Sequence, residues 1–297
     1  MTDRTDLNSG SLTYEGVRFP FGEGTPFALT DFKRGTAGIR ANDAARPGRD
    51  GTALGVSYKD GPKHELSIAV IGRGDTRTEQ EADTRALLQD LAGVWSADTL
   101  RSRSGGLAAL TIGTLTAYGH PREFAPDDSA LWSGLAEPTL TFQAVDDLWY
   151  GPEQVSRVHL ITGSTGGLPI PADVPFVLDG GDGVSDHVVT VDGSAPAWPV
   201  FNVRGPIQDP FIEVVGVGRL NFRGQLAYDQ TLTVDTRPWA RWILRDGNPF
   251  PGALSPSGAR LSDMSLNPGQ HRVFFGGYDP TNTAVLEVRI QAAYRSL

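Results

Sequence analysis

No stretch of the last third of the chain has the spacing of a helix, and this limits the fold more than any other feature. From residue 188 onward the sequence runs through VVTVDG, WPVFNVRG, PFIEVVGVG, RLNFRG, QTLTVDT, ARWILRDG, HRVFFGG and AVLEVRIQAAY. These are eight short β-rich runs, broken by Gly and Asp turns at a spacing of about 8–12 residues, the pattern of an antiparallel sandwich. A parallel sheet would need crossover helices, and none is written here. Gly (36) and Pro (21) are spread along all 297 residues, which extends the turn-rich character to the whole chain.

Within that region, PAWPVFNVRGPIQDPFIEV (196–214) holds two apolar runs. Pro199 and Pro210 each stand before a run, where a missing N–H costs least. Val200, Asn202 and Arg204 alternate with Phe201, Val203 and Gly205, predicting one wet face and one apolar face.

The first 75 residues carry strand-like runs at 11–17, 25–32, 53–58 and 64–72. In the last, Leu66, Ile68 and Val70 share a face. NDAARPGRDGT (42–52) reads as a turn-rich loop stiffened by Pro47 and released by Gly48 and Gly51. The period then changes. TRTEQEADTRALLQDLAGVWS (76–96) predicts one helix, with Thr78 and Glu81 as its capping box and Leu88, Leu91, Ala92 and Trp95 as its apolar face. Strands follow at 107–113, TLTAYG and PTLTFQAV, with a long polar loop between the last two. The stretch 152–187, rich in Gly, Pro and Asp, reads as a loose junction. The expected organisation is an N-terminal unit over 1–151, the junction over 152–187 and a C-terminal β-sandwich over 188–297. The fold class is mainly β, a sheet domain covered by one helix followed by the sandwich.

Composition excludes several classes of function. Without cysteine there are no disulfides, thiolate metal sites or cysteine nucleophile. A net charge of −9 disfavours both duplex nucleic acid and an anionic membrane as partners. The polar, acidic N-terminus predicts no signal peptide, and no apolar run approaches membrane-spanning length.

Chemistry-bearing candidates are sparse. His64, His120, His159, His187 and His271 show no zinc spacing. Asp146 and Asp147 are adjacent on a strand end, so they point apart and do not form a glycosidase pair. Asp179, Asp182 and Asp186 lack the calcium-loop spacing, and GSTGG (163–167) lacks the Lys-Ser/Thr of a phosphate loop. Arg73-Gly74-Asp75 reads as a turn. The expectation is no catalytic residue, no metal and no cofactor. Trp198, Trp239 and Trp242 stand out instead, as aromatics for a core, an interface or a glycan platform. On one continuous strand Trp239 and Trp242 would face opposite sides.

An ordered set of segments resembles the distal tail proteins of long-tailed bacteriophages, especially those of actinobacteria. The segments are NDAARPGRDGTALGVSY, AYGHPREFAPDD, LTFQAVDDLWYG, the run from VDGSAPAWPVFNVRG to TLTVDT, and LNPGQHRVFFGG. The resemblance implies an N-terminal belt domain closing into a homo-oligomeric ring, expected to be a hexamer, and a galectin-like C-terminal sandwich. It further implies a structural role in the virion at the tail tip, after assembly in the host cytoplasm. The expected partners are the tail tube protein, the tail hub protein and receptor-binding proteins. The family brings no catalytic residues. Two other readings are a carbohydrate-binding module, carried by the tryptophans of the sandwich, and a wall hydrolase, which would need opposed carboxylates or a metal triad.

Overall fold

The strand Lys63–Ile71 shows how the N-terminal half is built. His64, Leu66, Ile68 and Val70 are fully buried, while the residues between them are mostly half-exposed. This is the period-2 pattern of a strand with one face in a core. In the computed structural model, which describes residues 9–161 and 182–296, the chain forms two compact units. One runs to Tyr150 and takes back Arg295 and Ser296; the other is Gly151–Tyr294.

The N-terminal unit is an antiparallel sheet. Its strand order is Phe27–Lys33, Lys63–Ile71, Thr139–Ala144, Leu115–Ala125, Ala108–Ile112, Ser9–Tyr14 and Val17–Gly22. The sheet curls until its two ends meet, because Phe19 of the last strand packs on Phe27 of the first with ring centroids 4.7 Å apart. Curling hides the edges that an open sheet would leave unpaired.

The helix Arg77–Ser96 lies on this sheet through Leu91 and Trp95, both fully buried, with Leu88 and Ala92 beside them. The Trp95 indole N–H donates to the Thr141 carbonyl (3.3 Å), and the Tyr14 hydroxyl donates to the Val94 carbonyl (2.8 Å). Its capping box is Thr76 with Glu79, two residues before the expected Thr78 and Glu81. Both pairs have the right i, i+3 spacing. The earlier pair wins because Asp75 also donates its N–H to Glu79 and so fixes the chain there. Arg73-Gly74-Asp75 is accordingly the connection from strand to helix.

The C-terminal unit has two sheets. One orders Trp149–His159 (from Gly151), Val285–Tyr294, Val200–Arg204, Thr231–Asp235, Trp242–Arg245 and Asn248–Pro249. The other orders Asp182–Val191, Gly269–Tyr278, Ile207–Val214 and Gly218–Asn221. The core takes Phe201, Val203, Val234, Leu286 and Val288 from the first and Ile212, Leu220, Val273 and Phe275 from the second, all fully buried. Asp279 fixes the turn between two long strands. Its carboxylate, itself fully buried, accepts from the backbone of Thr281, Thr283 and Ala284 (each 2.8 Å) and from the Thr281 hydroxyl (2.7 Å). Burial alone would raise its pKa, but these donors hold it below the ordinary value.

Two expectations need correction here. The stretch 152–187 is not uniformly loose: strand continues through His159 and resumes at Asp182, because each end pairs with a long neighbour. Residues 162–181, including GSTGG and Asp179, lie outside the described residues. Pro210 does not precede its strand. The strand begins at Ile207, and Pro210 sits at a register shift between Gln208 and Phe211, where no ladder donor is needed.

Candidate assembly surface

Between the strands Phe27–Lys33 and Lys63–Ile71 the chain leaves the N-terminal sheet and returns as a narrow antiparallel arm. Ile39–Ala41 pairs with Ser57–Lys59, and Ala44–Ala45 pairs with Thr52–Ala53. The tip turn is closed by Arg46 N–H to the Gly51 carbonyl (3.3 Å), with Gly48 at φ +66° and Gly51 at φ +100°. NDAARPGRDGT is therefore the end of a projecting hairpin, where the sequence indicated a simple loop.

The base of the arm is held tightly. A Cβ on Gly35 would stand 2.1 Å from the Lys63 carbonyl oxygen, and one on Gly61 would stand 1.8 Å from that of Ala144, so a side chain at either position would force the backbone there to shift. The Gly35 N–H donates to Nδ1 of His64 (3.2 Å), whose ring packs against Trp149 and Phe32 at 5.1 and 5.7 Å. Burial, helped by the charge of Arg34, brings the His64 pKa down to about 4. The ring is thus neutral, and its Nδ1 is free to accept. On the other side, Lys59 reaches Asp147 (2.6 Å), and within the arm Arg40 pairs with Asp60 (2.7 Å).

Above that base the arm has no core. Leu54 is 84 % exposed, Ile39 68 %, Val56 66 % and Tyr58 55 %. Four apolar side chains on one thin hairpin form an unusual concentration for a surface. At the tip Arg46 and Arg49 stand with Asp43 and Asp50, so the charges of residues 42–52 balance. The arm thus presents an apolar surface, with balanced charge at its tip, on a fixed stem.

The residues with chemical potential elsewhere are used structurally. Asp146 accepts from the Leu148 N–H (3.1 Å) and the Tyr150 hydroxyl (2.7 Å), while Asp147 holds Lys59. Burial pushes the Asp146 carboxyl up to about 6 against the pull of those two donors. Asp186 pairs with Arg272 at 2.6 Å. Among the described residues, no group of three or more His, Asp or Glu side chains is arranged to hold a metal.

The three tryptophans are not gathered. Trp198 is half-buried in the loop before Val200–Arg204. Trp239 sits in a turn, half-buried, with the Arg237 guanidinium 5.8 Å from its ring. Trp242 opens the next strand and is 42 % exposed. Trp239 and Trp242 therefore do not share a strand. The arm went unrecognised in sequence because its strands are two or three residues long; the signal was the spacing of Gly35 and Gly61 around it.

No protein-family model matches the sequence, and no curated protein matches it. Solved structures do match its fold. The crystal structure of SPP1 Dit (gp 19.1), described as a paradigm of the hub adsorption apparatus in Gram-positive infecting phages, aligns with a TM-score of 0.55 and 16 % identity over 96 % of this chain and 98 % of that one. Chains of the phage P2 baseplate in its activated conformation align at TM-scores of 0.52 with Ca and 0.54 with Sr, with identities of 10 % and 12 %. Each covers 95 % of this chain and 97 % of the other. The structural neighbours are thus phage Dit and baseplate hub proteins, and this chain shares their mainly β fold across both of its units.

Proposed function

We propose that the chain is a structural subunit of a phage tail tip, a distal tail protein whose copies close into a six-membered ring. In this reading the N-terminal unit forms the ring, and the arm 35–61 reaches onto the neighbouring copy. The ring joins the tail tube to the hub and supports receptor-binding proteins. The role is non-enzymatic, and the site of action is the virion.

The observation that carries this reading is the arm. A hairpin with a rigid stem and four exposed apolar residues is stable in water but incomplete, and burying those residues against another surface would contribute about 1–2 kcal/mol apiece. A ring contact is heterologous: one patch of each copy meets a different patch of the next. A projecting arm meeting the body of a neighbour has that form. Full-length similarity in fold to phage hub proteins supports the same reading.

Size-exclusion chromatography with light scattering, followed by negative-stain microscopy of the purified full chain, tests it. Closed rings are expected for the native chain. A variant with Ile39, Leu54 and Val56 changed to Ser should be monomeric and melt at the same temperature. A native chain that stays monomeric at high concentration and in the presence of tail tubes would overturn the proposal.

A further inference from the structure

The outer face of the first C-terminal sheet carries a groove of about 800 Å³. Its floor is the wet side of the strand Val200–Arg204 and its neighbours. Three registers define its rows. Val200 lies between Arg289 and Asp235, with Trp242 beyond Asp235; Asn202 lies between Glu287 and Thr233; Arg204 lies beside Thr231.

The polar groups of this groove fall into two sets. Some are already satisfied by one another: Arg157 with Glu287 (3.1 Å), Arg289 with Glu153 (3.0 Å), and Arg237 with Asp235 through three bonds of 2.5, 3.0 and 3.1 Å. The paired residues are fixed, and they keep the sheet face rigid and polar. Asn202, Thr233 and Arg204 make no side-chain hydrogen bond or ion pair among the described residues, although Asn202 and Thr233 are half-buried. Trp242 stands at the edge of the same groove with almost half its surface in water.

We infer that this groove binds a linear oligosaccharide. An exposed indole next to unspent amide, hydroxyl and guanidinium donors matches a ligand that has one flat C–H face and a rim of hydroxyls. Trp242 stacks on one sugar ring, Asn202 and Thr233 bond the hydroxyls of the next, and Arg204 takes an acidic substituent at the far end. From strand geometry, Trp242 and Arg204 stand about 10 Å apart across the sheet and about 13 Å along it, a separation that needs several linked rings. An apolar peptide fits poorly, because it would leave the central amide and the Arg204 charge unpaired. This site is independent of the arm, so its presence does not require ring formation.

Cellohexaose, chitohexaose and hexagalacturonate, titrated into the full chain and followed by tryptophan fluorescence and calorimetry, test the inference. Saturable binding to at least one of them is expected. Trp242→Ala should weaken it at least about tenfold and Asn202→Ala about fivefold. Arg204→Gln should weaken only hexagalacturonate. Because Trp242 and Arg204 are exposed, both variants should keep the native circular dichroism and melting temperature, which separates lost binding from lost fold. If none of the three probes binds up to about 10 mM, the inference fails. It also fails if Trp242→Ala disrupts rings while saccharide binding is unchanged.

Discussion

The strand Lys63–Ile71 and the arm that runs into it use the same residue types and treat them oppositely. Leu66, Ile68 and Val70 lie on one face and are fully buried. Ile39, Leu54, Val56 and Tyr58, fewer than thirty residues upstream, remain mostly in water. Strand character is therefore not sufficient for burial. A long strand paired on both sides and covered by a helix finds a core inside its own chain, whereas a two-stranded ribbon has only one side chain layer and nothing behind it. Its apolar residues are available to another surface.

This contrast can be tested quantitatively. The largest effect on folding is expected inside the sheet: Leu66→Ala should lower the unfolding free energy by about 3 kcal/mol, measured by chemical denaturation. A loss below about 1 kcal/mol would mean the strand is not held as described. At the junction of the two regions, Gly61→Ala should cost about 2 kcal/mol, since the new methyl meets the Ala144 carbonyl. It should also move the arm, and so impair assembly, while the sheet remains folded.

The pH response comes next in size, and two groups of the N-terminal unit oppose one another. His64, neutral when folded, takes up its proton in the unfolded chain first as pH falls from its ordinary 6.5 to about 4; stability drops over that window and then levels. Asp146, with its carboxyl near 6, takes up a proton first in the folded chain; stability rises as pH falls from about 6 towards 3.8. Denaturation midpoints at about pH 7 and about pH 5 should show His64→Gln gaining stability on acidification and Asp146→Asn losing more than the native chain. The smallest effect belongs to the arm. Leu54→Ser should change monomer stability by no more than about 0.5 kcal/mol, yet reduce ring formation by light scattering. If Leu54→Ser is as costly to the fold as Leu66→Ala, the two regions do not differ in the way proposed.

Much of the fold could be read before any coordinates. Leu66, Ile68 and Val70, the helix face with Leu91 and Trp95, and the alternation of Phe201 and Val203 with Asn202 all followed from period alone. The capping box was misplaced by two residues, because two i, i+3 pairs competed and only the contact of Asp75 with Glu79 separated them. The arm was missed because hairpins this short lack enough residues for periodicity to register.

The sequence by itself determined that the chain is mainly β with one long helix, and which residues of each long strand face inward. Those properties depend on local spacing, which repeats every two or 3.6 residues and needs no partner to be legible. Only the tertiary structure decided that Gly35 and Gly61 clamp the stem of an arm and that Trp242 shares a groove with Asn202 and Arg204. Such relations arise from strand pairing between residues dozens of positions apart, and the register that brings them together is set by packing across the whole unit.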